Sequence, residues 1–155
     1  KKMENKKILV LGIGNKYRCD DGAGIAAAEM LEQMHIENFD VKTLDGEGAK
    51  IIESWNGYDD VVIIDAVKKN GSAGNIYEIN ANEDELKSDF FNYSSHAFGL
   101  AEAINISKVM NRLPKKLTVY GIEGKSFNFD TKLTPKIEKA AAKTAQIIKG
   151  KYSLN

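Results

Sequence analysis

The sequence has no second cysteine and no excess of charge of either sign. Because Cys19 is the only cysteine, no disulfide forms within the chain, which fits a reducing cytosol. Lys and Arg together number 22, as do Asp and Glu, so no basic field is available for nucleic acid or for an anionic membrane surface. These absences favour a cytoplasmic protein with neither nucleic acid nor membrane as its partner.

Long apolar stretches are also missing. No run approaches the ~20 apolar residues that a membrane-spanning helix needs. The basic N-terminus leads only into a short apolar strand near residues 8–13, without the long apolar region and small-residue cleavage site of a signal peptide. With 155 residues, of which 43% are hydrophobic, the sequence predicts a single globular domain over residues 1–155.

Several familiar catalytic and nucleotide-binding motifs are absent as well. The chain has no Gly-x-Ser-x-Gly, His-Glu-x-x-His or Walker loop. Gly12 and Gly14 follow an apolar run, but Tyr17 stands where a dinucleotide-binding loop has its third glycine. Asp20 and Asp21 would also occupy the helix N-terminus that otherwise receives a phosphate. A nucleotide site is therefore disfavoured, and the glycines indicate a tight turn with close helix–strand packing.

Apolar runs that suit strands alternate along the chain with runs that suit helices. Strands are predicted at residues 7–13, 39–44, 60–65, 75–79 and 116–122. Helices are predicted at residues 22–34, 48–55 and 95–110, and from Pro135 with Thr134 as its N-cap. This order predicts an α/β protein, a three-layer α/β/α sandwich with a mostly parallel sheet of about five strands.

Three segments place a carboxylate or an imidazole where a strand or helix meets a loop. Asp20 and Asp21 follow the first strand, Asp65 ends the third, and His96 opens the predicted third helix. Because open α/β sheets build their sites at such positions, we expect Asp21, Asp65 and His96 to converge in one crevice. Two carboxylates and one imidazole are a plausible three-ligand metal site with open coordination positions.

The acidic residues also have purely structural explanations. Helix capping and dipole compensation account for the pair at 20–21, with Asp20 the better cap and Asp21 the better site residue. Asp65 suits a cap on the following turn. An unpaired carboxylate at the end of an apolar strand is costly to bury, however, so Asp65 is expected to have a partner.

His96 and Cys19 have similar alternatives. His96 follows Ser94 and Ser95, either of which suits the N-cap of the predicted helix, and the imidazole then bonds within the turn. The dipole at a helix start also favours the neutral imidazole that ligates metals. Cys19 adjoins two carboxylates that oppose its thiolate, which makes it a poor nucleophile.

Several segments resemble one known family in the right order along the chain. Residues 12–24, GIGNKYRCDDGAG, are similar to the N-terminal signature of the NiFe-hydrogenase maturation proteases. Residues 64–67, IDAV, resemble the second acidic motif of that family, and residues 94–102, SSHAFGLAE, resemble its histidine motif. Residues 120–123, YGIE, and 133–135, LTP, match as well. The resemblance covers nearly the whole chain.

The resemblance implies that Asp21, Asp65 and His96 contact nickel and carry the catalysis. It implies an α/β/α sandwich and a nickel-dependent endopeptidase that removes the C-terminal peptide of a NiFe-hydrogenase large-subunit precursor. The nickel is then supplied by the substrate. The sequence departs from the family pattern at the basic pair of residues 68–69 and at Gly124, where many relatives have proline. We expect both departures to lie near loops that face the substrate.

The sequence leaves the mechanism and two alternative functions open. In one mechanism, a metal held by the three residues polarises the scissile carbonyl or lowers the pKa of bound water. In the other, the three residues recognise nickel already held by the substrate, and a carboxylate acts as the base. One alternative is a non-catalytic, nickel-checking chaperone or metal-binding module. The other is a cysteine hydrolase that uses Cys19 with His96.

Overall fold

The structure is a computed structural model that describes residues 6–68, 71–91 and 96–154. The strands of its sheet are β1 (Ile8–Ile13), β2 (Phe39–Leu44), β3 (Asp60–Val67), β4 (Ile76–Asn80) and β5 (Lys116–Glu123). The α-helices are α1 (Ala23–Gln33), α2 (Gly48–Trp55), α3 (Leu100–Val109) and α4 (Pro135–Tyr152). Single 3-10 turns lie at Cys19–Gly22 and Ser88–Phe91.

The sheet is mixed but mostly parallel, with the strand order β2-β1-β3-β5-β4. Strands β2, β1, β3 and β5 run parallel, and β4 lies antiparallel to β5 at one edge. Because β1 and β3 are central, their side chains are buried on both faces, which explains their continuous apolar sequences.

Two hydrophobic cores lie on opposite faces of the sheet. On one face, strand residues such as Val10 and Ile64 pack against α1 and α4. On the other face, Leu11 and Ile63 pack against α2 and α3. The predicted α/β/α sandwich with a mostly parallel, five-stranded sheet is therefore confirmed.

Glycines allow α1 to lie unusually close to the sheet. A Cβ added to Gly24 would lie 2.2 Å from the carbonyl oxygen of Ile64, and one added to Gly12 would lie 2.5 Å from the Cβ of Ala28. The close helix–strand packing expected at Gly12 is thus present, and Gly24 adds a second such contact. It brings the N-terminus of α1 next to the carboxyl ends of β1 and β3.

The main departure from the predicted elements is the start of the third helix. Helix α3 begins at Leu100, and the Glu102 carboxylate accepts a hydrogen bond from the Gly99 N–H at 2.9 Å. The predicted start at residue 95 is therefore wrong, and His96 lies in the preceding loop. The proposed N-caps Ser94 and Ser95 lie outside the described residues. Within the described part of the chain, no helix combines the length and hydropathy of a membrane span.

Candidate active site

A cavity of about 530 Å³ opens at the carboxyl ends of the parallel strands. Its walls come from the loop after β1, the start of α1, the loop after β2, the end of β3 and the loop before α3. Asp21, Asp65 and His96 all line this cavity. The structure thus brings together the three residues that their positions at strand and loop ends had singled out.

Asp65 is a buried carboxyl group on β3, with 8% of its surface exposed. Burial raises its pKa well above the ordinary value, and the negative charge of Asp21 raises it further. The N–H of Ala66 donates to Oδ1 of Asp65 at 2.8 Å and opposes this rise only partly. The site therefore favours a proton or a cation at this carboxyl group.

Asp21 faces the same cavity from the 3-10 turn that precedes α1. It is 7% exposed, and burial raises its pKa. The N–H of Asn15, which donates to Oδ2 at 3.1 Å, and the charge of Arg18 both lower that pKa and limit the rise. Since both carboxyl groups are desolvated, their combined charge attracts a positively charged ligand.

The turn that carries Asp21 depends on Gly14. Gly14 has a φ of 151°, and a Cβ at this position would lie only 2.0 Å from the carbonyl oxygen of Asp21. No side chain fits there unless the backbone of Asp21 moves. The glycine therefore sets the position of the Asp21 carboxylate in the cavity.

Asp20 does not cap α1, contrary to the sequence prediction. It is fully buried, and its carboxylate accepts hydrogen bonds from the N–H groups of Lys125, Ser126 and Thr134 at 2.8, 2.9 and 2.9 Å. The hydroxyl of Thr134 also donates to it. The N-cap of α1 is instead Gly22, which has no side-chain oxygen. Asp20 thus joins the first loop to the segment before α4, while Asp21 faces the cavity as predicted.

His96 meets an acidic residue that the sequence analysis missed. Its Nε2 lies 3.8 Å from Oδ2 of Asp45, in the loop after β2, and its side chain is 28% exposed. Asp45 also lines the cavity. The signal was present in the sequence, because Asp45 follows a strand just as Asp65 ends an apolar run.

The loop that carries His96 is fixed against the start of α2. The N–H of Gly48 donates to the carbonyl oxygen of Phe98 at 2.8 Å. A Cβ added to Gly48 would lie 2.4 Å from the Phe98 ring, so the two segments are in close contact. This contact holds His96 near Asp45 and at the rim of the cavity.

The donor groups suit a divalent metal but do not form a closed site by themselves. Carboxylate oxygens and an imidazole nitrogen are common ligands of first-row transition metals. In the described residues, no three His, Cys, Asp or Glu side chains are grouped closely enough to hold a metal ion. The arrangement is therefore a partial donor set, which suits a metal whose other ligands come from a second molecule.

Cys19 is poorly placed to act with His96. It is 6% exposed, its Sγ lies 3.8 Å from Oδ1 of Asp20, and it is not among the described residues that line the cavity. The geometry therefore disfavours the cysteine-hydrolase alternative.

Comparisons with known proteins agree on one family. The family model described as hydrogenase maturation protease (HycI) matches residues 25–151. The hydrogenase 2 maturation protease of Escherichia coli (strain K12) is 33% identical over 136 residues, which cover 85% of this chain and 82% of that protein. The hydrogenase expression/formation protein HupD of Rhizobium leguminosarum bv. viciae is 28% identical over 119 residues, and the match spans 76% of this chain but only 59% of the relative.

The fold is also shared with solved structures. The hydrogenase maturating endopeptidase HybD from E. coli superposes with a TM-score of 0.72 and 28% sequence identity. The superposition covers 94% of this chain and 94% of that structure.

Proposed function

The chain belongs to the hydrogenase maturation protease family, and from this premise we propose that it cuts the C-terminal peptide from a NiFe-hydrogenase large-subunit precursor in the cytoplasm. We further propose that cleavage depends on nickel carried by the precursor. The single observation that carries the proposal is the cavity that Asp21, Asp65 and His96 all line. It places two desolvated carboxyl groups and an imidazole at the carboxyl edge of the sheet, where open α/β proteins bind their ligands.

The partial donor set supports nickel that arrives with the substrate. Two carboxyl groups with raised pKa values attract a cation, and His96 adds a nitrogen ligand. Three donors leave coordination positions for ligands of the precursor. Nickel-loaded precursor then binds through the metal as well as through the polypeptide, whereas metal-free precursor lacks that contact.

The carboxyl groups also supply a base for peptide hydrolysis. Water attacks the scissile carbonyl carbon and gives a proton to a carboxylate, which passes it to the nitrogen of the leaving peptide as the C–N bond breaks. A carboxylate accepts that proton more readily when its pKa lies closer to neutral pH. Of the two carboxyl groups, Asp65 has its pKa raised well above the ordinary value, so we assign it the role of base in addition to its place, with Asp21 and His96, in the donor set for nickel.

Asp45 completes the proposed site as a positioning residue. Its carboxylate lies 3.8 Å from Nε2 of His96, so a small side-chain movement brings it within hydrogen-bond distance of the imidazole. A partner of this kind commonly orients a histidine that contacts a metal.

The test is the mass of nickel-loaded precursor after incubation with wild-type protein and with two histidine variants. Wild type is expected to release one C-terminal peptide, and His96→Asn is expected to release none. His35→Asn is the matched control, because His35 is exposed, lies away from the cavity, and has a φ of 50° that asparagine tolerates. Binding without any loss of mass by wild type would instead support the nickel-checking chaperone.

A further inference from the structure

Two exposed aromatic side chains lie on paired segments, one of which borders the proposed active-site cavity. The exposed fraction is 59% for Tyr17 and 88% for Phe129, and Tyr17 lines the cavity itself. Large aromatic side chains that are exposed together mark binding surfaces more often than single exposed residues do. We refer to Tyr17 and Phe129 as the aromatic platform.

Backbone pairing joins the two segments that carry the aromatic residues. Arg18 and Asp130 form a parallel β-bridge. The N–H of Asp130 donates to the carbonyl oxygen of Tyr17 at 3.0 Å, and the N–H of Cys19 donates to the carbonyl oxygen of Asp130 at 2.8 Å. Tyr17 and Phe129 each directly precede a residue of the bridge, so they occupy neighbouring positions on the two paired segments.

The segment that carries Phe129 is anchored at both ends. The Asp20 carboxylate accepts from the N–H groups of Lys125 and Ser126 at one end and from Thr134 at the other. Because these bonds already order the segment, a ligand that binds Phe129 loses little additional entropy in fixing it. The anchor therefore preorganises the aromatic platform.

Phe129 has no packing role that explains its presence. The nearby Phe127 supplies that role, since it packs against one hydrophobic core and lies over Gly124, where a Cβ would come within 2.4 Å of its ring. Phe129, two residues later, is almost fully exposed. Its large apolar surface is therefore available to a partner.

The surroundings of the platform indicate which kind of partner it fits. The ammonium group of Lys16 lies 5.7 Å from the centre of the Tyr17 ring, within the range of a cation–π contact. Lys125 and Lys132, in the segment around Phe129, are also exposed. An apolar stretch with neutral or acidic flanking residues suits this surface, whereas a basic stretch is repelled by the lysines.

We propose that the aromatic platform binds an apolar stretch of the precursor polypeptide next to the bond that is cut. This inference rests on the proposed function, and it adds a contact that recognises the polypeptide rather than the metal. The platform adjoins the cavity through Tyr17, so a chain that crosses the site passes over it. The platform should contribute to binding of the precursor and not to the chemical step.

The test compares Tyr17→Ala/Phe129→Ala with Val109→Ala/Met110→Ala. The control pair is matched in exposure, at 87% for Val109 and 53% for Met110, and it lies at the end of α3 away from the cavity. For the platform variant we expect KM for nickel-loaded precursor to rise about tenfold while kcat stays within about twofold, since exposed aromatic anchors act mainly on binding. The control variant should match wild type in both constants.

Binding is measured separately in a His96→Asn background, which we expect to bind the precursor without cutting it. The Tyr17→Ala/Phe129→Ala variant should raise the Kd for nickel-loaded precursor about tenfold, whereas the single variant Phe129→Tyr should keep most of the affinity.

Unchanged KM and Kd, or a wild-type protein that dimerises through Tyr17 and Phe129, would overturn the proposal that the platform binds the precursor. If wild type binds but never cuts, the proposed function is wrong and the Kd comparison still decides whether the platform exists. If wild type neither binds nor cuts the precursor, both proposals are wrong.

Discussion

The carboxyl group of Asp65 lies within the electrostatic influence of the Asp21 carboxylate, and that charge adds to burial in raising the pKa of Asp65. Two acidic groups in one desolvated cavity destabilise the folded protein whenever both are ionised. The proposed function gives this arrangement a purpose, because nickel of the bound precursor neutralises the charge. We therefore expect that the charges of Asp21 and Asp65, which cleavage needs, lower the stability of the folded protein.

Asp65→Asn should stabilise the protein and abolish cleavage. The pKa of Asp65 is raised in the folded state, so the folded protein binds more protons than the unfolded chain as pH rises from the ordinary aspartate range through the raised pKa. Over that window wild type loses stability, and the variant does not. At neutral pH we expect the variant to gain on the order of 1 kcal/mol, or roughly 2–4 °C in Tm.

Thermal melts of both proteins at several pH values check this prediction. The difference in Tm should grow with pH across the window and level off above the raised pKa of Asp65. A variant that is less stable than wild type at neutral pH would mean that the Asp65 carboxylate is well compensated in the folded protein.

Asp20→Asn should destabilise the protein without removing any group from the cavity. The amide NH₂ of asparagine would face N–H or O–H donors that now bond to a carboxylate oxygen, because both oxygens of Asp20 accept. Loss of such buried bonds costs about 1–3 kcal/mol in the free energy of unfolding. Denaturant melts measure this cost. Asp130→Asn, in the same segment but exposed, is the control and should change stability by less than about 0.5 kcal/mol.

Gly14→Ala should displace Asp21 and reduce cleavage strongly. The new Cβ would lie 2.0 Å from the carbonyl oxygen of Asp21, so the backbone that carries the carboxylate must move. Gly57→Ala is the matched control: it also has a positive φ, of 88°, but nothing lies within 4 Å of its added Cβ. Both variants should lose stability, by about 1 kcal/mol or more for Gly57 through backbone strain alone.

The readout that separates the two glycine variants is cleavage by protein that is still folded, as judged by circular dichroism. Gly57→Ala should retain wild-type cleavage, and Gly14→Ala should lose at least about tenfold, because small displacements of catalytic groups are costly. Equal activity of the two would show that the position of Asp21 does not matter for cleavage.

Cys19→Ala should leave cleavage essentially unchanged. The thiol is buried, points toward Asp20 and is absent from the described lining of the cavity. The substitution removes one buried sulfur, so a modest loss of stability is expected. Cleavage assays on nickel-loaded precursor measure the effect. Loss of turnover in a folded variant that still binds the precursor would revive the cysteine hydrolase.

Much of the fold could be predicted because its signals are local. The apolar runs of β1 and β3 and the Thr134–Pro135 start of α4 each appear within a few neighbouring residues. The crevice followed from the rule that ligands bind at the carboxyl edge of a parallel sheet. These predictions needed no knowledge of which distant residues meet.

Predictions that depended on distant contacts were wrong or missing. The sequence predicts a helix cap at Asp20, yet the hydrogen-bond partners of its carboxylate lie 105 to 114 residues away along the chain. The start of α3 shifted to Leu100 because Gly99 and Glu102 provide the hydrogen bond at its N-terminus. Asp45 was missed because its proximity to His96 depends on how the loop before α3 packs against α2. Sequence patterns alone do not report such pairings.

The central claim, that nickel in the precursor permits cleavage, is tested most directly by one mass measurement. A single precursor preparation is divided into nickel-loaded, zinc-loaded and metal-free portions, and each is incubated with the wild-type protein. The account predicts that only the nickel-loaded portion loses a C-terminal peptide, because only nickel bound by the precursor completes the donor set of Asp21, Asp65 and His96. Efficient cleavage of the metal-free portion in the presence of a chelator would contradict it.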